Sequence, residues 1–198
     1  MSLASLPRML LSETDGWSDI VRMHPSVQKL LLSFVVPMSL IPAVMYGYAE
    51  LLHPGGVFPL VEPTLSVREA TVVGGIFFVA EVAMVLLMAV FIQQVAESID
   101  IPVGYENAFA LAAIAPTPLW VSSLALFVPS LWFNVLAVAI AWVGCVALIR
   151  HGVRPLIGLQ DAAKVRWMSM VVTFIGVAAW GALMIVLTLL LSLLIGLR

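Results

Sequence analysis

Glu81 lies at the middle of an otherwise apolar run, Thr71–Ile92. A helix of about 20 residues, rising about 1.5 Å at each, crosses the roughly 30 Å of bilayer hydrocarbon, so this run is long enough to span. An ionisable group at that depth costs a few kcal/mol or more, and is neutralised, partnered or put to use. If neighbouring spans run antiparallel, Ser39, Glu81 and Thr117 each fall near the midpoint of their own span and can share one polar layer. Two chemistries are then open. A protonated Glu81 could lock the helices by donating to a carbonyl or hydroxyl near Ser39 or Thr117. Alternatively, Glu81 could couple a proton or cation to transport.

The other spacings are weaker. Glu50 and His53 stand at i and i+3, where both side chains share a helix face, as carboxylate–imidazole metal sites require. They offer two ligands, and Glu62 could add a third only through loop folding, so no metal and no cofactor is expected. Ser122-Ser123 has no His near it in sequence, and His24, His53 and His151 fall at span boundaries. No Gly-rich phosphate loop and no paired nucleophile and base is present, which argues against an enzyme. The single cysteine, Cys145, lies in the fourth apolar run and reads as a small core side chain.

What positions Glu81 must be a membrane bundle. The 198 residues are 63% hydrophobic and 10% charged, with a mean hydropathy of +1.13. Five apolar runs can be read, about Leu30–Leu52, Thr71–Gln93, Ala108–Val128, Leu131–Ile149 and Met168–Leu197. The expected fold is therefore an all-α integral membrane protein, a five-helix transmembrane bundle (30–198) preceded by a cytoplasmic segment (1–29). Gly47-x-Ala49 loosely resembles a processing site, but the first run is too long for a signal peptide and is taken as a retained span. A net charge of −2 without a basic run gives no reason to expect nucleic acid.

Within 1–29, Trp17, Ile20, Val21 and His24 recur at helical spacing, with Asp15 able to cap. Trp17 is expected at the interface, its ring in the headgroups and its N–H wet. Pro25-Ser26 ends this short interfacial helix and starts the first span, which carries Pro37 and Pro42. Gly74-Gly75 permits close helix approach. Pro116 and Pro118 remove two amide donors within one turn, so the third span is expected to bend or unwind there. The last run, about 30 residues, must tilt or project from the bilayer.

Orientation follows from Lys and Arg. Arg8, Arg22, Lys29, Arg150, Arg154, Lys164 and Arg166 fall on one side, and only Arg68 and Arg198 on the other. Seven against two predicts a cytoplasmic N-terminus and an outside C-terminus. The loop Arg150–Trp167 would then be cytoplasmic, and Arg150, Arg154, Lys164 and Arg166 could contact anionic lipid headgroups.

From the third span onward the order of features resembles the Yip family, the Ypt/Rab-interacting membrane proteins, and looks most like its compact bacterial branch. The small-Thr-Pro-Leu turn at Pro116–Leu119 is the most specific element. Pro129 and the Gly-x-x-Pro of Gly152–Pro155 support it, and the W-x-x-I of Trp17–Ile20 extends it. The resemblance implies five helices, a cytoplasmic N-terminus, a bacterial inner membrane for this branch, and no catalysis. The long N-terminal domain of trafficking members, with its Asp-Leu-Tyr-Gly-Pro stretch, is missing from this sequence, so Rab binding is not carried over. The expected function is a non-enzymatic membrane protein acting by self-association, by assembly with other membrane proteins, or by organising lipid. The alternative is a small proton- or cation-coupled transporter using Glu81.

Overall fold

A computed structural model of the chain describes residues 6–12, 16–54 and 65–196. Every regular element among them is a helix. Two short helices, α1 (Leu6–Leu11) and α2 (Trp17–Met23), precede five helices long and apolar enough to cross a membrane. In order, these spans cover Val27–Leu52, Val67–Glu97, Tyr105–Phe127, Leu131–Ile157 and Ala162–Gly196.

The helices run past their apolar cores because polar residues cap them. Ser66 and Glu69 form a reciprocal capping box ahead of the second span: the Ser66 amide donates to Glu69 at 2.8 Å and the Glu69 amide donates to the Ser66 hydroxyl at 3.3 Å. Ser26 caps the first span, accepting from the Lys29 amide at 3.4 Å, while Asp15 lies outside the described residues. The fourth span continues through Arg150 and Pro155 to Ile157, and ends on Gly158 in the left-handed conformation (φ 76°), whose amide donates to the Arg154 carbonyl. Asp161 caps the last helix through the Ala163 amide at 2.7 Å. The expected Arg150–Trp167 loop is therefore mostly helical. Its turn is confined to 158–161, with Arg150 and Arg154 on one helix end and Lys164 and Arg166 on the next. Thirty-five residues make the last helix about 52 Å long, well beyond the hydrocarbon.

Prolines shape two spans. The first adopts a wide π-helical turn over Leu31–Val35, just before Pro37, and then runs as α-helix through Pro42 to Leu52. The third is interrupted. Its first helix stops at Ile114, a second starts at Thr117, and a tight 3₁₀ turn over Ser123–Phe127 finishes it.

One face of the bundle is far denser than the rest. At the basic end, Phe109, Leu111, Leu148, Val153 and Met168 are sealed together with Trp17. Both α1 and α2 pack on the fourth span, so the N-terminal segment shares this core. Trp17 corrects the expectation of a ring in the headgroups. It is fully buried, and its indole N–H donates to the Met9 carbonyl at 3.2 Å. Its ring fills the space left by Gly152, where an added Cβ would come within 2.5 Å of the Trp17 ring and 2.8 Å of Leu111. The polar face of α2, with Ser18, Asp19 and Arg22, stays exposed.

Candidate functional site

Glu81 is carried by the uninterrupted second span, which packs against the first, third and last spans. That approach is close: Gly74 lies so near the first span that an added Cβ would stand 3.2 Å from the Ala43 carbonyl oxygen. Gly75, by contrast, faces open space. Glu81 is 7% exposed, and Oε2 is buried without a hydrogen-bond partner. The Trp120 side chain lies beside its carboxyl.

Ser39 and Thr117 are also buried, but neither hydroxyl is bonded to Glu81. Ser39 donates to the Val35 carbonyl at 2.8 Å, within its own helix. Thr117 donates at 2.7 Å to the Ile114 carbonyl, the acceptor that Pro118 leaves without its amide donor. The expected lock from Glu81 to this layer is thus not formed. Short hydroxyl side chains reach their own helix backbone at i−3 or i−4 more readily than a neighbouring helix. The interruption at Pro116–Pro118 repairs itself locally and brings Trp120, not a carbonyl, to the carboxyl.

Glu81 faces a cavity of about 510 Å³ that is bounded by all five spans. Its lining is overwhelmingly apolar, and it reaches furthest along the fourth span, from Leu131 to Ile149. Phe77 to Met88 on the second span and Gly176 to Leu187 on the last line it, eleven residue steps on each. At 1.5 Å per step that is about 16 Å, about half the hydrocarbon thickness. Trp142 and Trp180 meet edge to face across the fourth and last spans, with ring centroids 5.9 Å apart. At the far end Asn134 donates to the Val128 and Ser130 carbonyls at 2.9 and 2.8 Å, closing the turn between the third and fourth spans.

Tyr46 lines the same cavity from the first span, and its hydroxyl is likewise buried without a partner. Tyr46 and Trp120 carry no chemical spacing in the sequence. Their one local signal is shared: each stands four residues after a proline, Pro42 and Pro116, that also lines the cavity. Cys145 is a buried free thiol on the cavity wall.

The remaining candidates do not join this site. Glu50 and His53 close the far end of the first span, where the His53 ring packs edge-on against Tyr48. Glu62 lies outside the described residues, and among the described residues no three His, Cys, Asp or Glu side chains cluster as a metal site would need. Arg150, Lys164 and Arg166 are exposed around the basic turn and Arg154 is half-buried there. Lys164 ties that turn to the one before the third span, donating to the Ile99 carbonyl at 3.3 Å.

The model of one family, described as the Yip1 domain, matches residues 8–197. Searches of curated proteins and of solved structures found no match.

Proposed function

This chain belongs to the Yip1 family, and from that premise we propose that it is a non-enzymatic membrane protein. It assembles laterally with itself or with other membrane proteins and organises the lipid around it. The observation that carries the proposal is the state of the last span. Past Val172 it has no buried residue up to Leu193, and Phe174, Ile185 and Leu193 are each more than 60% exposed. A helix held to its own bundle at one end and loosely along the rest leaves a long apolar flank for other helices or lipid chains. In the proposed orientation the N-terminus and the basic turn are cytoplasmic and the C-terminus is outside, in keeping with seven Lys/Arg against two. Arg150, Arg154, Lys164 and Arg166 would then meet anionic headgroups of the inner leaflet.

The test uses single cysteines. In a Cys145→Ala background, Ile185→Cys on the exposed flank is expected to form cross-linked dimers, or cross-links to partner proteins, in native membranes. A cysteine at Val153, in the dense core, is expected to form none. Equal, collision-limited cross-linking at Ile185 and at lipid-facing Val143 would remove the support for assembly. Reporter fusions at the two termini are expected to signal opposite compartments.

A second reading has its own observation, the unpartnered Glu81 oxygen on a cavity wall. A carrier would need that oxygen to release a proton or hold a cation. If Glu81→Gln left the fold intact but abolished a pH-dependent flux in proteoliposomes, transport would replace assembly as the proposed role.

A further inference from the structure

A half-open space of about 510 Å³ among the five spans is as large as a ligand pocket. Its content is constrained by its walls. Water needs two to four polar partners to settle in a cavity. Of the polar side chains on this wall, Asn134, Ser122 and Ser123 are bonded to carbonyls of their own segment. That leaves the two unpartnered oxygens, Glu81 Oε2 and the Tyr46 hydroxyl, both on side chains more than nine-tenths buried. Apart from the Cys145 thiol and the indole N–H groups of Trp120, Trp142 and Trp180, the rest of the wall is hydrocarbon or aromatic.

The shape restricts the occupant further. The lined length, about 16 Å along the second and last spans and about 27 Å along the fourth from Leu131 to Ile149, runs with the helices, as lipid chains do. Glu81 sits within that length, far from either headgroup layer, so a phosphate or ammonium head could not reach it without crossing hydrocarbon at great cost. A hydroxyl is small and uncharged, and it both donates and accepts. It can pair with Glu81 Oε2 whichever way that carboxyl is protonated, whereas a carbonyl could only accept and a plain hydrocarbon would leave the oxygen unpartnered.

From these features we infer that the intramembrane cavity is a binding site for a neutral, single-chain lipid alcohol. Its chain fills the apolar length, and its hydroxyl is held by Glu81 on the second span. The site goes beyond the lateral assembly proposed above and stands without it.

The full-length protein in lipid nanodiscs is labelled with a long-chain fatty alcohol bearing a mid-chain diazirine, and with the corresponding alkane lacking the hydroxyl. Adducts are mapped by mass spectrometry. With the alcohol, labelling is expected to saturate, to concentrate on Met84, Met88 and Trp142, and to be competed by unlabelled fatty alcohol. Gly176→Phe should abolish it, because Gly176 lines the cavity and its Cβ position faces open space. Glu81→Leu should weaken the alcohol about tenfold, the worth of one buried hydrogen bond, and leave the alkane unchanged. Competition on the wild-type protein needs no variant, so a misfolded Gly176→Phe would not rescue the inference. Non-saturable labelling spread over lipid-facing Ile140, Val143 and Phe174 would overturn it. Saturable labelling in the cavity that is equal for alcohol and alkane would also overturn it, since the occupant would then be any lipid tail.

Discussion

The two halves of this membrane domain are built on opposite packing rules. Toward the basic end, large side chains fill the space that small ones leave, and Trp17 is driven into the slot over Gly152. Toward the other end the first and second spans still touch at Gly74, but the last span stands off around a cavity, and its Gly176 and Gly181 face open space. Composition does not separate the halves, because both are apolar. The contrast is clearest between Gly152, which has the Trp17 ring aimed at it, and Gly176, which has no neighbour. A glycine with a partner permits contact, and a glycine without one leaves room.

The sharpest way to break this contrast is to remove the residue that closes the dense half. Trp17→Ala would leave a large hole among Met9, Ile20, Leu111 and Val153 and an unclaimed Met9 carbonyl. We expect a loss of about 3–5 kcal/mol, seen as a large drop in the temperature at which the protein leaves the monodisperse peak in detergent. A Trp17 that sat in the headgroups would show almost no change.

Gly152→Ala should act next, from the other side of the same contact. The new Cβ cannot share space with the Trp17 ring at 2.5 Å, and overpacking of this kind costs about 1–3 kcal/mol. The two residues should also be coupled. Combined with Trp17→Leu, Gly152→Ala is expected to cost much less than it does alone, a departure from additivity that a double-mutant cycle reads directly. Additive losses would mean that the ring and the glycine are not in contact.

How much of this was legible in the sequence depends on the range of the interaction. The five spans were legible because hydrocarbon thickness acts on each segment separately. Helix ends were placed short, at Thr71 and Ile149 rather than Val67 and Ile157, because caps such as Ser66–Glu69 and Gly158 extend a helix past its apolar run. Glu81 stood out as a buried acid, but its surroundings were misjudged. The hydroxyls of Ser39 and Thr117 looked available by depth alone, while backbone carbonyls one turn away had already claimed them. The W-x-x-I and Gly-x-x-Pro motifs were visible separately, about 130 positions apart, yet nothing local says that Trp17 of one fills the slot at Gly152 of the other. The cavity is the extreme case, since it belongs to the separation of five helices and to no segment of the chain.

In the open half the expected sign reverses. Gly176→Ala adds a methyl group where no atom lies within 4 Å and raises helix propensity. It should stabilise the protein by up to about 0.5–1 kcal/mol. A loss of stability comparable to that of Gly152→Ala would mean that the last span is packed as tightly as the dense core.

The smallest effect is expected at the most conspicuous residue. In a tightly packed, hydrogen-bonded layer, replacing a buried acid would strand its partners and cost about 1–3 kcal/mol. Glu81 has no such layer. Oε2 is unpartnered, the wall around it is apolar, and the Trp120 side chain is its polar neighbour. Glu81→Leu removes an unsatisfied oxygen, which favours the folded state, and leaves Trp120 without its carboxyl, which disfavours it. Each term is about 1 kcal/mol, so the net change should fall within about 1 kcal/mol of zero. Thermal stability of Glu81→Leu and Glu81→Gln in detergent measures this, and the two should lie close to wild type and to each other. If Glu81→Leu instead unfolds the protein while Glu81→Gln is tolerated, Glu81 is a structural lock, and the open half is held together by it. If both are tolerated, a costly group is being kept at mid-membrane for something other than stability, which is what a binding wall requires.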